Sequence, residues 1–172
     1  MHPNFAETYD EHVWQVYGFF AYRLRSRTDA EDLTQLTFER ALRAWRSFDA
    51  RRASPGTWLL AIAHNLLVDH YRADRSADQE PIGPGGVGED ALPSVEATPD
   101  LGLDPELAAA LDRLEPRERE IIALRYGGDL SGPDIAELTG LSLANVQQIL
   151  SRALRKLRAV LEKAPVHAPG DR

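Results

Sequence analysis

Residues 131–158, SGPDIAELTGLSLANVQQILSRALRKLR, spell two helices separated by a tight turn. Ser131 and Asp134 fit the [ST]-x-x-[DE] helix-start signal, and Pro133 sits in the first turn, where a missing N–H costs little. The first helix is expected from about Pro133 to Thr139. Gly140 then makes the turn and Ser142 opens a longer helix. Ile135, Ala136 and Leu138 supply the inward face of the first helix, and Val146, Ile149, Leu150, Leu154 and Leu157 an i, i+3, i+4 stripe on the second. The opposite face of the second carries Asn145, Gln147, Gln148, Ser151, Arg152, Arg155, Lys156 and Arg158. A short helix, a glycine turn and a second helix, polar at its start and basic further on, match a DNA-reading helix-turn-helix. A helical hairpin with a solvated basic face is the plainer alternative.

Outward from that stretch, the pattern is helical throughout. Residues from about Asn4 to Ser26 place Phe5, Tyr9, Val13, Val16, Tyr17, Phe20 and Leu24 on one face. Thr28 with Glu31 forms a capping-box signal for a second helix, running to about Ser47 and burying Leu33, Leu36, Ala41, Leu42 and Trp45. Residues 48–54 read as a loop holding Arg51 and Arg52. Pro55 and Gly56 start a third helix, to about Arg75, with Trp58, Leu59, Ile62, Leu66 and Val68 inward. The pattern resumes at Pro105 with Leu107, Leu111 and Leu114. A further helix from Pro116 carries Ile121, Ile122, Leu124 and Tyr126 and ends at Gly127-Gly128. The last helix is expected to reach about Lys163, before Pro165. No strand and no repeat emerges. The expected fold is all-α: two small helical domains, the second ending in the helix-turn-helix, joined by a flexible acidic linker.

Charge locates that linker. The chain has 172 residues and a net charge of −7, which looks unsuited to a nucleic-acid binder. Residues 1–75 and 106–172 are each neutral, with ten basic and ten acidic side chains apiece. All the excess lies in residues 76–105, which hold seven acids, five prolines, five glycines and no base. As a coil these residues would span roughly 30 Å, and fully extended about 100 Å. One and a half turns of B-DNA, about 50 Å, fall inside that range. Two domains so tethered each raise the other's effective concentration on DNA. The expected division is therefore 1–75, 76–105, 106–163 and a disordered tail at 164–172.

Composition removes other classes. A hydrophobic content of 43% supports real cores. The absence of cysteine excludes disulfides, thiolate catalysis and cysteine-based zinc sites. No apolar run has membrane-spanning length, so no membrane insertion is expected. Asn4, Glu7 and Asp10 do not read as a signal peptide, and the expected address is the cytoplasm. An enzymatic reading would rest on His64, Asp69 and His70, but a spacing of six takes the two histidines off a common helix face. No catalytic residue, metal ligand or cofactor is assigned.

With both halves laid out, the chain resembles an extracytoplasmic-function (ECF) sigma factor, a bacterial promoter-recognition subunit, over roughly residues 5–75 (region 2) and 106–162 (region 4). Asp29-Ala30-Glu31-Asp32-Leu33-Thr34-Gln35 through Phe38, with Arg40-Ala41-Leu42, is similar to the segment that grips the clamp helices of the polymerase β′ subunit. Thr57-Trp58-Leu59, Ile62-Ala63 and Asn65 to Asp69 match the helix that melts and reads the −10 element. Leu114-Glu115-Pro116-Arg117-Glu118-Arg119-Glu120, Leu124-Arg125-Tyr126, Ile135-Ala136 and Arg152-Ala153 follow the −35-binding region.

The resemblance implies core RNA polymerase (β′ clamp helices and β flap) and promoter DNA as partners, and a possible anti-sigma factor. With no regulatory extension after residue 163, control is expected from a separate protein. The implied polymerase-binding residues are Asp29, Asp32, Leu33, Gln35 and Phe38. For −10 DNA they are Arg51, Arg52, Trp58, His64 and Asn65. For −35 DNA they are Ser142, Asn145, Gln147, Gln148, Ser151, Arg152 and Arg155. One departure stands out. Many relatives carry threonine, lysine and arginine where this recognition helix has Asn145, Gln147 and Ile149. Asn and Gln bond adenine in a bidentate manner, so base reading persists with less phosphate grip. A free-standing helix-turn-helix regulator remains the alternative; it would bind DNA tightly without polymerase.

Overall fold

The computed structural model describes residues 4–77 and 102–163. The expected linker lies mostly outside the described residues, and the expected tail entirely so. The described residues form seven α-helices and no strand: α1 Phe5–Arg23, α2 Arg27–Ala44, α3 Pro55–Ala77, α4 Pro105–Leu111, α5 Pro116–Ile122, α6 Gly132–Thr139 and α7 Leu143–Leu161. A 3₁₀ turn, Trp45–Ser47, closes α2, and a π turn, Ala123–Gly127, extends α5.

Local chemistry sets most of the boundaries. Asn4 caps α1 by accepting the Ala6 amide at 3.0 Å. The cap of α2 is Ser26, not the expected Thr28: the Ser26 hydroxyl accepts the Asp29 amide at 3.2 Å, and α1 ends at Arg23, three residues before the expected end at about Ser26. Ser54 caps α3 through the Thr57 amide at 3.1 Å. Ser131 and Asp134 form the expected reciprocal box on α6. Gly140 follows in the left-handed region at φ 71°, a conformation that side chains with a Cβ resist. The Ser142 hydroxyl accepts the Asn145 amide at 3.2 Å and starts α7.

The inward faces depart from the expected stripes in a consistent way. Leu42 on α2 is 57% exposed and Leu154 on α7 is 41% exposed, whereas Ala41 and Ala153 are fully buried beside them. Small side chains let the helix axes approach, which turns the bulky neighbour outward. On α3 the buried residues are Leu59, Leu60, Ala63, Leu66 and Leu67, with Trp58, Ile62 and Val68 at the margin.

One apolar core runs through both halves. Val16, Phe19, Phe20, Leu59, Leu60 and Leu67 pack with Ile121, Leu124, Leu130, Ile135, Val146 and Ile149. A smaller cluster of Ala110, Leu111, Leu114, Ile122, Ala153 and Leu157 belongs to the C-terminal helices. The tightest approach between the halves is backbone on backbone. A Cβ on Gly18 of α1 would stand 2.6 Å from the Gly127 carbonyl oxygen, and one on Gly127 would stand 2.5 Å from that of Gly18. Only two glycines fit that seam.

Candidate polymerase and nucleic-acid interface

The recognition helix presents its polar face intact. Ser142, Asn145, Gln147, Gln148, Ser151, Arg152 and Arg155 are all exposed, while Val146, Ile149, Ala153 and Leu157 hold the other face in the core. Asn145 and Gln148 lie one turn apart, with Gln147 beside them, and Arg152 and Arg155 continue the face towards the C-terminus. Ser142 is spent on its cap, so its hydroxyl is less available to DNA than the sequence implied. Beneath the helix, Lys156 Nζ donates to Glu118 Oε2 at 2.8 Å, and the Glu115 amide donates to the same oxygen at 3.1 Å. Burial pushes the Glu118 carboxyl up, but the Lys156 bond, the Glu115 amide and the Lys156 and Arg152 charges outweigh it and hold the group below its usual range. This pair anchors α7 to α5 and fixes the pitch of the polar face.

In the N-terminal half, the loop before α3 is pre-shaped. Asp49 accepts from the Arg51 amide at 3.0 Å and from Arg51 Nε and Nη2, each at 3.0 Å. The fork raises the Arg51 pKa and aims its guanidinium along the loop. Arg52 is exposed next to it. Trp58 sits half-buried in an aromatic cluster, 5.8 Å from Trp45 and 5.2 Å from Phe48 between ring centroids. It forms the wall behind the loop. Asn65 is exposed on α3. His64 does not join it: its Nε2 lies 2.7 Å from Glu120 Oε1, inside the contact between the two halves. His70 Nε2 lies 3.5 Å from Asp74 and Asp69 lies 3.9 Å from Arg40 Nη1, so His64, Asp69 and His70 point to three different partners. Among the described residues no group of three His, Cys, Asp or Glu is placed to hold a metal ion.

The α2 surface divides the polymerase assignments. Asp32 and Gln35 are exposed and Asp29 is partly exposed. Leu33, read from the sequence as inward, and Phe38, not included in that stripe, are 9% and 5% exposed and belong to the core. Phe38 packs edge-on against Tyr9 and Phe5, at 4.6 Å and 6.5 Å between centroids. Its ring supports the surface from beneath and forms part of the wall of a groove between α1 and α2. Sequence reasoning also passed over a groove of about 700 Å³ between α1 and α2, lined by Tyr9, Val13, Trp14, Gln35 and Leu42 among others. Trp14 is 76% exposed there. Its signal was a tryptophan one position off the α1 core stripe.

A family model for Sigma-70 region 2 matches residues 8–77, and one for Sigma-70 region 4 matches residues 105–157. The chain is 31% identical over 160 residues to the ECF RNA polymerase sigma factor SigK of Mycobacterium ulcerans, an alignment covering 92% of this chain and 86% of SigK. It belongs to the ECF RNA polymerase sigma factors. The ECF sigma factor BldN of Streptomyces coelicolor is 33% identical over 162 residues, covering 91% of this chain but only 60% of BldN. Among solved structures, CnrH in complex with the cytosolic domain of CnrY aligns with a TM-score of 0.66 at 27% identity, covering 93% of this chain and 88% of CnrH. The sigma factor RpoE of Bartonella quintana, in complex with the anti-sigma factor NepR, shares the fold with a TM-score of 0.70 at 21% identity, covering 93% of this chain and 98% of RpoE. As a member of the ECF sigma factors the chain is a DNA-binding regulator that acts in transcription initiation. No helix among the described residues is long and apolar enough to cross a membrane.

Proposed function

We propose that this ECF sigma factor binds core RNA polymerase through the exposed face of α2, opens and reads the −10 element with the Arg51–Arg52 loop and Asn65, and reads the −35 element with α7. The observation that carries the reading is the unbroken exposed polar face of α7, set on a scaffold shared with sigma factors. In this reading Asp29, Asp32 and Gln35 meet the β′ clamp helices. The exposed apolar patch of Tyr126, Leu154 and Leu161 receives the β flap. Residues 1–75 serve as region 2 and 106–163 as region 4, with the acidic segment between them as the tether. Weak phosphate attraction by the neutral halves limits stray binding, because the sequence-independent part of affinity grows with the phosphates neutralised. A protein partner of the anti-sigma kind completes the proposal: the similar fold of RpoE is bound by the anti-sigma factor NepR, and CnrH by the cytosolic domain of CnrY.

Gel filtration with core RNA polymerase from the same source tests this directly. The expected result is a stable one-to-one complex. Failure to co-elute, with direct promoter binding retained, selects the free-standing helix-turn-helix regulator instead.

Base reading is tested separately. Gln147→Ala with Gln148→Ala removes two amides suited to adenine, each worth about 1–3 kcal/mol of discrimination if bidentate. The expected outcome is at least a tenfold loss of −35-dependent transcription, with polymerase binding retained. Run-off assays on promoters with intact and scrambled −35 elements measure it. An unchanged ratio between the two templates would mean the glutamines only cover the surface.

A further inference from the structure

The N-terminal half of α7 carries no charged side chain. From Ser142 to Ser151 the sequence is SLANVQQILS, without an acid or a base, and the exposed cations Arg152 and Arg155 come only after it. In a helix-turn-helix the N-terminal residues of the second helix meet base edges, while contacts to phosphate fix position without reading sequence. The base-reading end of this helix therefore relies on neutral groups alone. Neutral groups discriminate among base pairs differently from a guanidinium or an ammonium.

The helix also fixes which of these groups lead. Val146, Ile149, Ala153 and Leu157 are buried. At about 3.6 residues per turn, the line opposite them runs through Ala144, Gln148, Ser151 and Arg155, all of them exposed. Gln147 and Arg152 flank that line. Ser142 is bonded to the Asn145 amide as the cap, and Leu143 leans back on α6, where its Cδ1 would stand 3.0 Å from a Cβ on Gly132. Ala144 is thus the outermost group of the first turn, and Gln148 of the second.

Chemistry then picks the base pairs. Guanine shows two acceptors, O6 and N7, in the major groove, and the donors of Arg or Lys match them. A glutamine amide brings one donor and one acceptor to such an edge, so its carbonyl oxygen would face guanine O6, acceptor against acceptor. Against adenine the same amide fits: its NH2 donates to N7 and its oxygen accepts from the N6 amino group. Ala144 ends in a methyl group, whose complement is the C5-methyl that thymine presents in the major groove. The two residues lie about 6 Å apart along the helix axis, one to two base-pair steps of about 3.4 Å. We propose that α7 selects A·T pairs in the −35 element, with Ala144 packed on a thymine methyl and Gln148 bonded to an adenine one or two positions away, and that its first two turns read no guanine. The base preference rests on α7 being the −35 helix. It makes Ala144, which has no polar atom to draw attention to it, a determinant of promoter choice.

The test offers the full chain a duplex library randomised across the −35 element beside a fixed −10 element, once with core RNA polymerase and once alone. The expected selection is for neighbouring A·T pairs, with adenine preferred about tenfold over guanine where Gln148 binds. Replacing the selected thymine by uracil deletes only the C5-methyl, and should weaken capture about threefold to fourfold, the worth of one buried methyl group. In Ala144→Gly that ratio should fall to about one. Any weakening of the helix by glycine acts on both templates alike and cancels from the ratio. Gln148→Arg should move the preference at its own position from adenine to guanine. Selected G·C pairs, no selected base in either form, or a thymine-to-uracil ratio that Ala144→Gly leaves unchanged would overturn the assignment. Selection of A·T pairs by the chain alone, with none through polymerase, would support the base preference and count against the polymerase reading, so the two fail separately.

Discussion

Reversing the charge of Asp32 is expected to abolish co-elution with core RNA polymerase while leaving the fold untouched. Asp32 is exposed in the second turn of α2, on the same surface as Asp29, Glu31 and Gln35. It makes no contribution to the Ser26 cap and none to the core, so Asp32→Arg should change stability by no more than about 0.5 kcal/mol. At an interface the same change replaces attraction by like-charge contact, which costs several kcal/mol. At about 1.4 kcal/mol per tenfold, the dissociation constant should rise a hundredfold or more. Titration of a labelled sigma factor with core enzyme measures the loss, and thermal melting serves as the control. Unchanged affinity would move the clamp contact off α2, and the groove around Trp14 would be the next surface to test.

The α2 assignment also shows how far the residues themselves reached. Sequence reading placed Asp32 and Gln35 correctly on the surface, because helical periodicity separates them from Leu33 and Ala41. It left Phe38 out of the inward stripe and kept both Phe38 and the inward Leu33 among the contact residues, since a family motif marks a segment as functional without saying which of its side chains face out. The same limit applies to caps. Ser26 and Thr28 are both acceptable N-caps locally; burial of Leu24 and the bond from the Tyr71 hydroxyl to the Arg23 carbonyl end α1 early, and Ser26 takes the position. Where a boundary rests on one strong local signal, as at Ser131, Gly140 and Ser142, reading and structure agree. The packing of one half on the other had no such signal. Gly18 and Gly127 look like ordinary glycines until they are found back to back, and His64 and Glu120 are 56 residues apart. The first was invisible because an absent side chain has no pattern. The second was hidden because His64 already had a plausible role on DNA.

Phe38 offers the sharpest separation between supporting a surface and forming it. Its ring is 5% exposed and is packed edge-on against Tyr9 and Phe5, so Phe38→Ala removes a large apolar side chain and leaves a cavity between α1 and α2. Such truncations cost about 3–5 kcal/mol, through lost transfer energy and lost packing together. For a chain of this size each kcal/mol lowers the melting temperature by about 2–4 °C, so the midpoint should drop by about 10 °C. Gln35→Ala, one turn away and exposed, should melt within about 1–2 °C of the parent. In polymerase binding the order should invert at a temperature where both variants are folded. Gln35→Ala loses a direct polar contact, whereas Phe38→Ala loses affinity only as far as the groove deforms. If Phe38→Ala instead kept its melting temperature and lost polymerase binding, the ring would have to leave the core to meet the clamp, and the closed packing of α1 on α2 would be only one of two states.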